Sequence, residues 1–214
     1  MIITNCIVSL GNNALAVVTS SSVSQDSDGY RVIEVSFLQN GEEKTLQVDA
    51  DALINDVDNN PFSRGSIFEY SLNFNGEIED AKFCGLSQWD PLTWSEVKSL
   101  IQSIPTKKTG NKNFEYIGGY VVNKNGSILT LSTDFTSSTG DRVAIPETAN
   151  IYTMDVTKSK VIPQVASIGE IVKCQYYVEG NYTYAEEDAN TYVLIKYIDN
   201  KIVDVIAYNG FDVY

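Results

Sequence analysis

The fold is decided by alternating runs such as Val32-Ile33-Glu34-Val35-Ser36-Phe37-Leu38, which is followed by Asn40-Gly41 and then by Thr45-Leu46-Gln47-Val48. Alternation with a period of two places the apolar side chains on one face of a β-strand. An Asn-Gly pair between two such runs is typical of a tight hairpin turn. The stretch therefore predicts a β-hairpin with one buried face and one solvated face.

The same pattern recurs along the chain. It is seen in Ile67–Leu72, Asn75-Gly76 and Ile78–Ala81; in Tyr120–Val122, Asn125-Gly126 and Ile128–Leu131; and in Gly140-Asp141 before Val143–Ile145. Strands with one apolar face are usual in antiparallel sheets. The sequence therefore predicts a mainly β protein.

One segment has the period of a helix. Thr93 and Glu96 match a capping box, and the apolar residues behind them recur on one helical face up to Pro105, which ends the predicted helix. Residues 106–112 are polar and basic, as expected of a linker.

The two sides of this linker share a pattern. Gly65–Tyr70 aligns with Gly169–Cys174 and Ile78–Ala81 with Ile202–Val205; Ala16–Val18 and Leu53–Asp56 align with Tyr120–Val122 and Ile151–Asp155. We therefore predict two tandem, small, β-barrel-like modules of SH3-like or OB-like type, because so few strands must curl to protect their edges. The predicted boundaries are 1–86 for the first module, 87–113 for the helix and linker, and 114–214 for the second module.

Composition excludes several classes of function. The 214 residues include 15 Lys and Arg, 28 Asp and Glu and no histidine, so the net charge is −13. Without histidine there is no Ser-His-Asp triad, no Cys-His pair and no histidine-bearing zinc site. The acidic charge argues against nucleic acid as a partner, and no apolar run has the length of a membrane span. We predict a non-enzymatic protein with no catalytic or cofactor-binding residue and no membrane insertion.

The three cysteines, Cys6, Cys84 and Cys174, lack metal-site or redox spacing and are predicted to be buried thiols, with a Cys6–Cys84 bridge as the alternative in an oxidising compartment. The first residues do not have the pattern of a secretory leader. An extracellular location would therefore require a leader upstream of this chain.

One acidic loop is a candidate calcium site. Asp49, Asp51 and the run Asp56-Val57-Asp58-Asn59-Asn60 offer several hard oxygen ligands. The full calcium-loop motif fails, because Pro61 stands where glycine is required and Ile67 where a bidentate Glu belongs. Asx turns that satisfy loop amides are the main interpretation, and no metal ligand is assigned.

A second candidate is a tyrosine-rich hairpin inserted in the second module between Tyr177 and Tyr192. It contains the tip Gly180–Asp188 and is flanked by Tyr176, Tyr177, Tyr192 and Tyr197. Aromatic rings beside carboxylates can bind sugars or peptides. Alternate tyrosines can equally cover a two-stranded ribbon by cross-strand pairing. We predict this hairpin as the segment for contact with a partner, including a second copy of the chain.

The succession of Tyr120-Val121-Val122, Thr148–Asp155, Ser167–Cys174 and Asp199–Ile206 resembles the β modules of large cell-surface and S-layer-associated proteins of Gram-positive, Clostridium-like bacteria. The resemblance covers roughly residues 11–84 and 116–208. It implies a spacer, scaffold or adhesive role, and similar barrels occur in virion and tail proteins.

The predicted function is thus a structural or interaction segment of a bacterial cell-surface assembly, with other protein subunits or cell-wall components as partners. The alternatives are a module that binds a glycan or calcium and a structural protein of a phage virion or tail.

Overall fold

A computed structural model of the protein describes residues 14–83, 116–155, 161–185 and 191–210, and it confirms the mainly β fold. The first sheet contains β1 (Ala16–Gln25), β2 (Arg31–Gln39), β3 (Glu42–Gln47), β4 (Ile67–Leu72) and β5 (Ile78–Phe83). The second contains β6 (Tyr116–Asn125), β7 (Ile128–Ser132), β8 (Asp141–Ala144), β9 (Asn150–Asp155), β10 (Ile162–Ala166), β13 (Thr191–Ile198) and β14 (Lys201–Asn209). A separate ribbon contains β11 (Tyr176–Glu179) and β12 (Tyr182–Ala185).

The predicted hairpins are confirmed. The turn between β2 and β3 consists of Asn40 and Gly41, whose φ angles are 53° and 77°. Two positive φ angles define the turn whose twist matches that of the flanking strands, and Asn-Gly adopts it at little cost. Hairpins also join β4 to β5 and β6 to β7, as the sequence predicts.

The two sheets repeat one strand order. The first runs β3-β2-β1-β4-β5, and the second, read from β8, runs β8-β7-β6-β13-β14 before β9 and β10. In each sheet three consecutive strands form a meander, β1 to β3 in the first and β6 to β8 in the second. The first strand of each meander pairs antiparallel with a later strand, β1 with β4 and β6 with β13. This order is the structural counterpart of the repeat predicted from the sequence.

The closure of each predicted barrel is not confirmed. In the first sheet a single parallel bridge joins Val48, just after β3, to Ile78 in β5. In the second sheet the corresponding parallel contact is longer: it is a full ladder between β9, the strand after the meander, and β14. Over the described residues neither sheet closes, because β3 and β5 remain edges of the first and β8 and β10 remain edges of the second.

Two equivalences predicted from the sequence are wrong. Leu53–Asp56 was expected to match Ile151–Asp155, but Ile151–Asp155 lies in β9, whereas Leu53–Asp56 lies outside the strands, in a turn and the loop after it. Gly169–Cys174 was expected to match β4. Instead, Ile168–Glu170 forms a 3-10 turn, and after β10 the next strand begins only at Tyr176. The Glu170 carboxylate accepts a hydrogen bond from the Ser167 N–H at 2.7 Å, which closes this turn. The place of β4 in the second sheet is taken by β13.

Among the described residues, three hydrophobic cores follow from the alternation. One lies against one face of the first sheet, around Phe37, Phe62 and Phe68. Another lies against one face of the second sheet, around Leu129, Val193 and Val205. The third, which we call the shared core, lies between the sheets. It joins four residues of the first part of the chain, Leu15, Val17, Leu38 and Ile67, to ten of the second, Tyr116, Tyr120, Val122, Tyr152, Met154, Cys174, Tyr192, Leu194, Ile206 and Tyr208.

The predicted helix, its capping residues and the basic linker lie outside the described residues. The boundaries 1–86, 87–113 and 114–214 therefore stay a prediction. What the structure does show is that the two sheets contact each other directly through the shared core.

Candidate functional site

The tyrosine-rich hairpin is present as the β11–β12 ribbon. Its strands pair antiparallel with Tyr177 opposite Tyr184, and the chain turns at Gly180, where φ is 62°. Tyr176 and Tyr177 are each 48% exposed, and Val178 is 66% exposed. We call residues 176–185 the Tyr ribbon; Tyr176, Tyr177 and Val178 in its first strand present aromatic and apolar surface to solvent.

Of the four tyrosines predicted to flank the hairpin, Tyr192 and Tyr197 do not join this surface. Tyr192 is buried in the shared core, and Tyr197 is half-buried against the core of the second sheet. Burial raises the pKa of both phenols, so they remain neutral and act as packing groups. The predicted aromatic surface is therefore smaller than the sequence suggested.

A chain of ring contacts connects the ribbon to the shared core. Tyr176 lies 6.5 Å from Phe135, Phe135 lies 5.7 Å from Tyr120, and Tyr120 lies 5.3 Å from Tyr192, all measured between ring centroids. All three pairs have steep interplanar angles, the edge-to-face arrangement that aromatic rings prefer. The exposed ribbon is thus anchored to the shared core through Tyr176.

The side chains of the acidic loop bond to the chain itself. Asp56 accepts hydrogen bonds from the Asn59 N–H at 3.0 Å and the Asp58 N–H at 3.3 Å. Asp49 accepts one from the Asp51 N–H at 2.9 Å and, through its other oxygen, one from the Asn73 amide at 2.7 Å. Within the described ranges, no three His, Cys, Asp or Glu side chains come together in a way that could hold a metal.

We expect calcium to leave the melting temperature unchanged relative to a chelator, because the carboxylates of Asp49 and Asp56 already serve loop amides. A ligand that binds only the native state raises the midpoint, and the rise grows with the ratio of its free concentration to its dissociation constant. Thermal unfolding followed by circular dichroism, with and without millimolar calcium, measures this. A rise that Asp56→Asn abolishes would instead establish the calcium site.

Cys174 is the cysteine that the structure describes, and it is a buried free thiol, as predicted. Its sulfur accepts a hydrogen bond from the Thr191 N–H at 3.3 Å, and burial raises its pKa to about 11. A thiol with so high a pKa is not a nucleophile. The alternative Cys6–Cys84 bridge lies outside the described residues.

A charged cluster lies beside the shared core. The Lys196 ammonium, only 1% exposed, forms an ion pair with the carboxylate of Glu69, whose side chain is 20% exposed. The Tyr116 hydroxyl donates a hydrogen bond to the same Glu69 oxygen at 2.6 Å, and the ammonium lies 5.6 Å from the Tyr116 ring centroid. Because Glu69 belongs to the first sheet and Lys196 to the second, the ion pair joins the two sheets.

Asp204 completes this cluster and is fully buried. It lies opposite Lys196 in the β13–β14 ladder. Its oxygens accept hydrogen bonds from the Leu15 N–H at 2.8 Å and from the Asn150 amide at 2.9 Å. Asp204 thus also connects the sheets, since Leu15 precedes β1.

The two carboxyl groups are shifted in opposite directions. Burial raises the pKa of Asp204, and its hydrogen bonds and Lys196 offset this only in part. For Glu69 burial also acts to raise the pKa, but the hydrogen bonds from Lys196 and Tyr116 outweigh it, so the pKa lies below its usual value. Glu69 is therefore ionised in its pair at neutral pH.

Sequence reasoning missed this cluster. A usable signal was present, because Lys196 and Asp204 each interrupt a strand that is otherwise apolar. A fully buried charge is rare unless it is paired, so such interruptions indicate a partner. The partner Glu69, however, lies 127 positions from Lys196 and could not be identified without the structure.

No family model matches the chain, and neither the curated proteins nor the solved structures contain a significant match. The resemblance to Clostridium-like surface proteins therefore stays a prediction.

Proposed function

We propose that this protein is a non-enzymatic structural or interaction segment of a protein assembly, with a bacterial cell-surface layer as the setting. The observation that carries the proposal is the Tyr ribbon, an exposed apolar hairpin anchored to the core that unites the two sheets. Three consecutive exposed side chains, Tyr176, Tyr177 and Val178, exceed the singly scattered apolar residues of an ordinary surface, and such clusters mark sites of contact. The partner is another protein subunit, and a second copy of this chain is the first to test.

The distribution of titratable groups supports a structural role. The carboxyl groups of Glu69 and Asp204 have shifted pKa values, yet they lie between the sheets and are bonded to Lys196, Tyr116 and backbone or amide groups. Catalytic groups with perturbed pKa values normally face a cleft. Here the pKa values are shifted because Glu69 and Asp204 are buried and bonded where the two sheets meet.

The finer fold prediction also belongs to this proposal. The shared strand order, with a parallel contact between β5 and the end of β3 and between β14 and β9, supports two partly open, barrel-like units. Joined through the shared core, such units would form one stiff block suitable as a spacer.

The location and the alternatives stay proposals. A bacterial cell surface is the proposed location, and the virion alternative would use the same barrel-like units. Among the described residues no helix has both the length and the apolar character needed to cross a membrane.

We expect the double substitution Tyr177→Ser and Val178→Ser to abolish self-association while leaving the fold intact, because both side chains are solvent-exposed on the ribbon. Sedimentation velocity over a range of protein concentrations, with circular dichroism as the folding check, measures the effect. The matched control is Leu53→Ser with Phe74→Ser, which removes two apolar side chains that are fully exposed elsewhere.

The control variant should associate as the wild type does. Retained association in the ribbon variant would contradict the proposed contact, as would equal loss in the control variant. A wild-type protein that stays monomeric at every concentration would exclude a second copy as the partner.

A further inference from the structure

Two cavities border the edge strand β8 on opposite faces of the sheet, and Arg142 lines both of them. The larger, of about 520 Å³, lies between β8 and the start of β14. The smaller, of about 360 Å³, lies over β6 and β7 beside residues 138–140. Both volumes fall within the range of known ligand sites, which runs from about 300 to 1,000 Å³.

The smaller cavity contains a row of polar side chains set by strand register. Asn123 lies opposite Thr130, and Thr130 lies opposite Arg142, so the three side chains stand on one face of adjacent strands. The exposed residues Ser138 and Thr139 border the row. The cavity therefore offers amide, hydroxyl and guanidinium groups, and none of its lining residues is acidic.

The larger cavity has a different character. Ile117, Val143 and Ile202 supply apolar surface, and Tyr197 adds an aromatic ring. Arg142 and Lys201 place two positive charges there, against one negative charge from Asp141. This depression therefore combines apolar, aromatic and charged groups, all of which occur in small-ligand sites.

The local charge is opposite in sign to that of the whole protein. The chain carries a net charge of −13, whereas the residues that line the two cavities include two cations and one acid. At physiological ionic strength charges act over about 8 Å, so distant carboxylates contribute little at Arg142. An anion can therefore bind at this edge of an acidic protein.

We propose that the β8 edge binds an acidic saccharide, and that Arg142 recognises its carboxylate. The planar guanidinium can donate two parallel hydrogen bonds to a carboxylate. The polar row, which stands on the same face as Arg142, matches the hydroxyl groups of a sugar. This site goes beyond the proposed structural function and is separate from the Tyr ribbon.

The test uses polygalacturonate as the probe and its fully methyl-esterified form as the matched ligand, since the two polymers differ only in the carboxylate charge. Isothermal titration calorimetry with the full chain should detect binding of the acid form and none of the ester. Arg142→Gln should weaken binding about tenfold or more, since a hydrogen bond to a charged group is lost. Thr130→Val should weaken it less.

Arg64→Gln is the control, because it removes an exposed arginine remote in sequence from β8 and changes the net charge equally. It should bind as the wild type does. Absence of wild-type binding, equal binding of acid and ester, or equal loss in Arg64→Gln and Arg142→Gln would overturn the proposal. So would equal binding of poly-glutamate, which would indicate that charge alone is recognised.

Discussion

Replacing Lys196 with methionine should lower the free energy of unfolding by about 3 kcal/mol, because it leaves the Glu69 carboxylate buried without its partner. Breaking a buried ion pair by removing one partner typically costs about 3–5 kcal/mol. The lower end applies here because the Glu69 side chain remains 20% exposed. Urea unfolding of the variant and the wild type measures the difference.

The double variant Lys196→Met with Glu69→Gln should regain most of the lost stability. Neutral groups of similar shape remove the unpaired charge, and the glutamine oxygen can still accept the hydrogen bond from Tyr116. Lys173→Met, which changes an exposed lysine, should shift stability by no more than about 0.5 kcal/mol. A Lys196→Met variant as stable as the Lys173→Met control would show that the ion pair does not stabilise the fold.

The cost of Lys196→Met should also depend on pH. Because the pKa of Glu69 is lowered in the wild type, its stabilising contribution is present above the ordinary value of 4.5 and is lost as the pH falls through the folded-state value. In the variant, acid neutralises the unpaired carboxyl and removes its penalty. The stability difference between the two proteins should therefore shrink in acid. A difference that stays constant from neutral pH to below 4.5 would contradict this assignment.

Ile67→Ala should lower the free energy of unfolding by about 2–5 kcal/mol, since a fully buried side chain is replaced by a cavity. Ile67 belongs to the first sheet, but it packs in the shared core with Leu194 and Ile206 of the second. We therefore expect one cooperative unfolding transition, shifted as a whole. Ile67→Val, which removes a single methyl group, should cost about 0.5–1.5 kcal/mol.

Hydrogen exchange distinguishes this result from two independent units. In the Ile67→Ala variant, amides in β13 and β14 should lose protection together with those in β4, because the sheets share buried surface. Two separate transitions, with exchange in β13 and β14 unchanged, would show that the shared core does not couple the sheets.

Much of the fold could be predicted because its information is local. Alternation within a run specifies which side chains share a face, and Asn40-Gly41 specifies the turn that joins two runs. The tyrosine-rich hairpin was predicted on the same grounds and confirmed as β11 and β12. One exception is Ile168–Glu170, where a hydrogen bond from the Ser167 N–H to the Glu170 carboxylate favours a turn over the predicted strand. Another is Leu53–Asp56, which forms a turn and loop although its predicted counterpart Ile151–Asp155 lies in a strand.

The candidate site could be predicted only in part, because burial depends on which faces meet. The sequence placed Tyr192 and Tyr197 beside the exposed hairpin, whereas the structure places Tyr192 inside the shared core and packs Tyr197 against the core of the second sheet. The sequence did not predict a role for Arg142. The proposed role depends on its position opposite Thr130 and at the border of two cavities, which local sequence does not specify. Register across three strands brings these groups together.

The sequence by itself determined that this is a β protein of short hairpins with two similar halves, since each of these properties is written in the period and spacing of neighbouring residues. Only the tertiary structure decided that the halves share a core and that Glu69, Lys196 and Asp204 meet beside it. The physical reason is that alternation gives every strand two faces but does not state what covers the second one. Here the other sheet covers it, and the buried charges are paired across that contact.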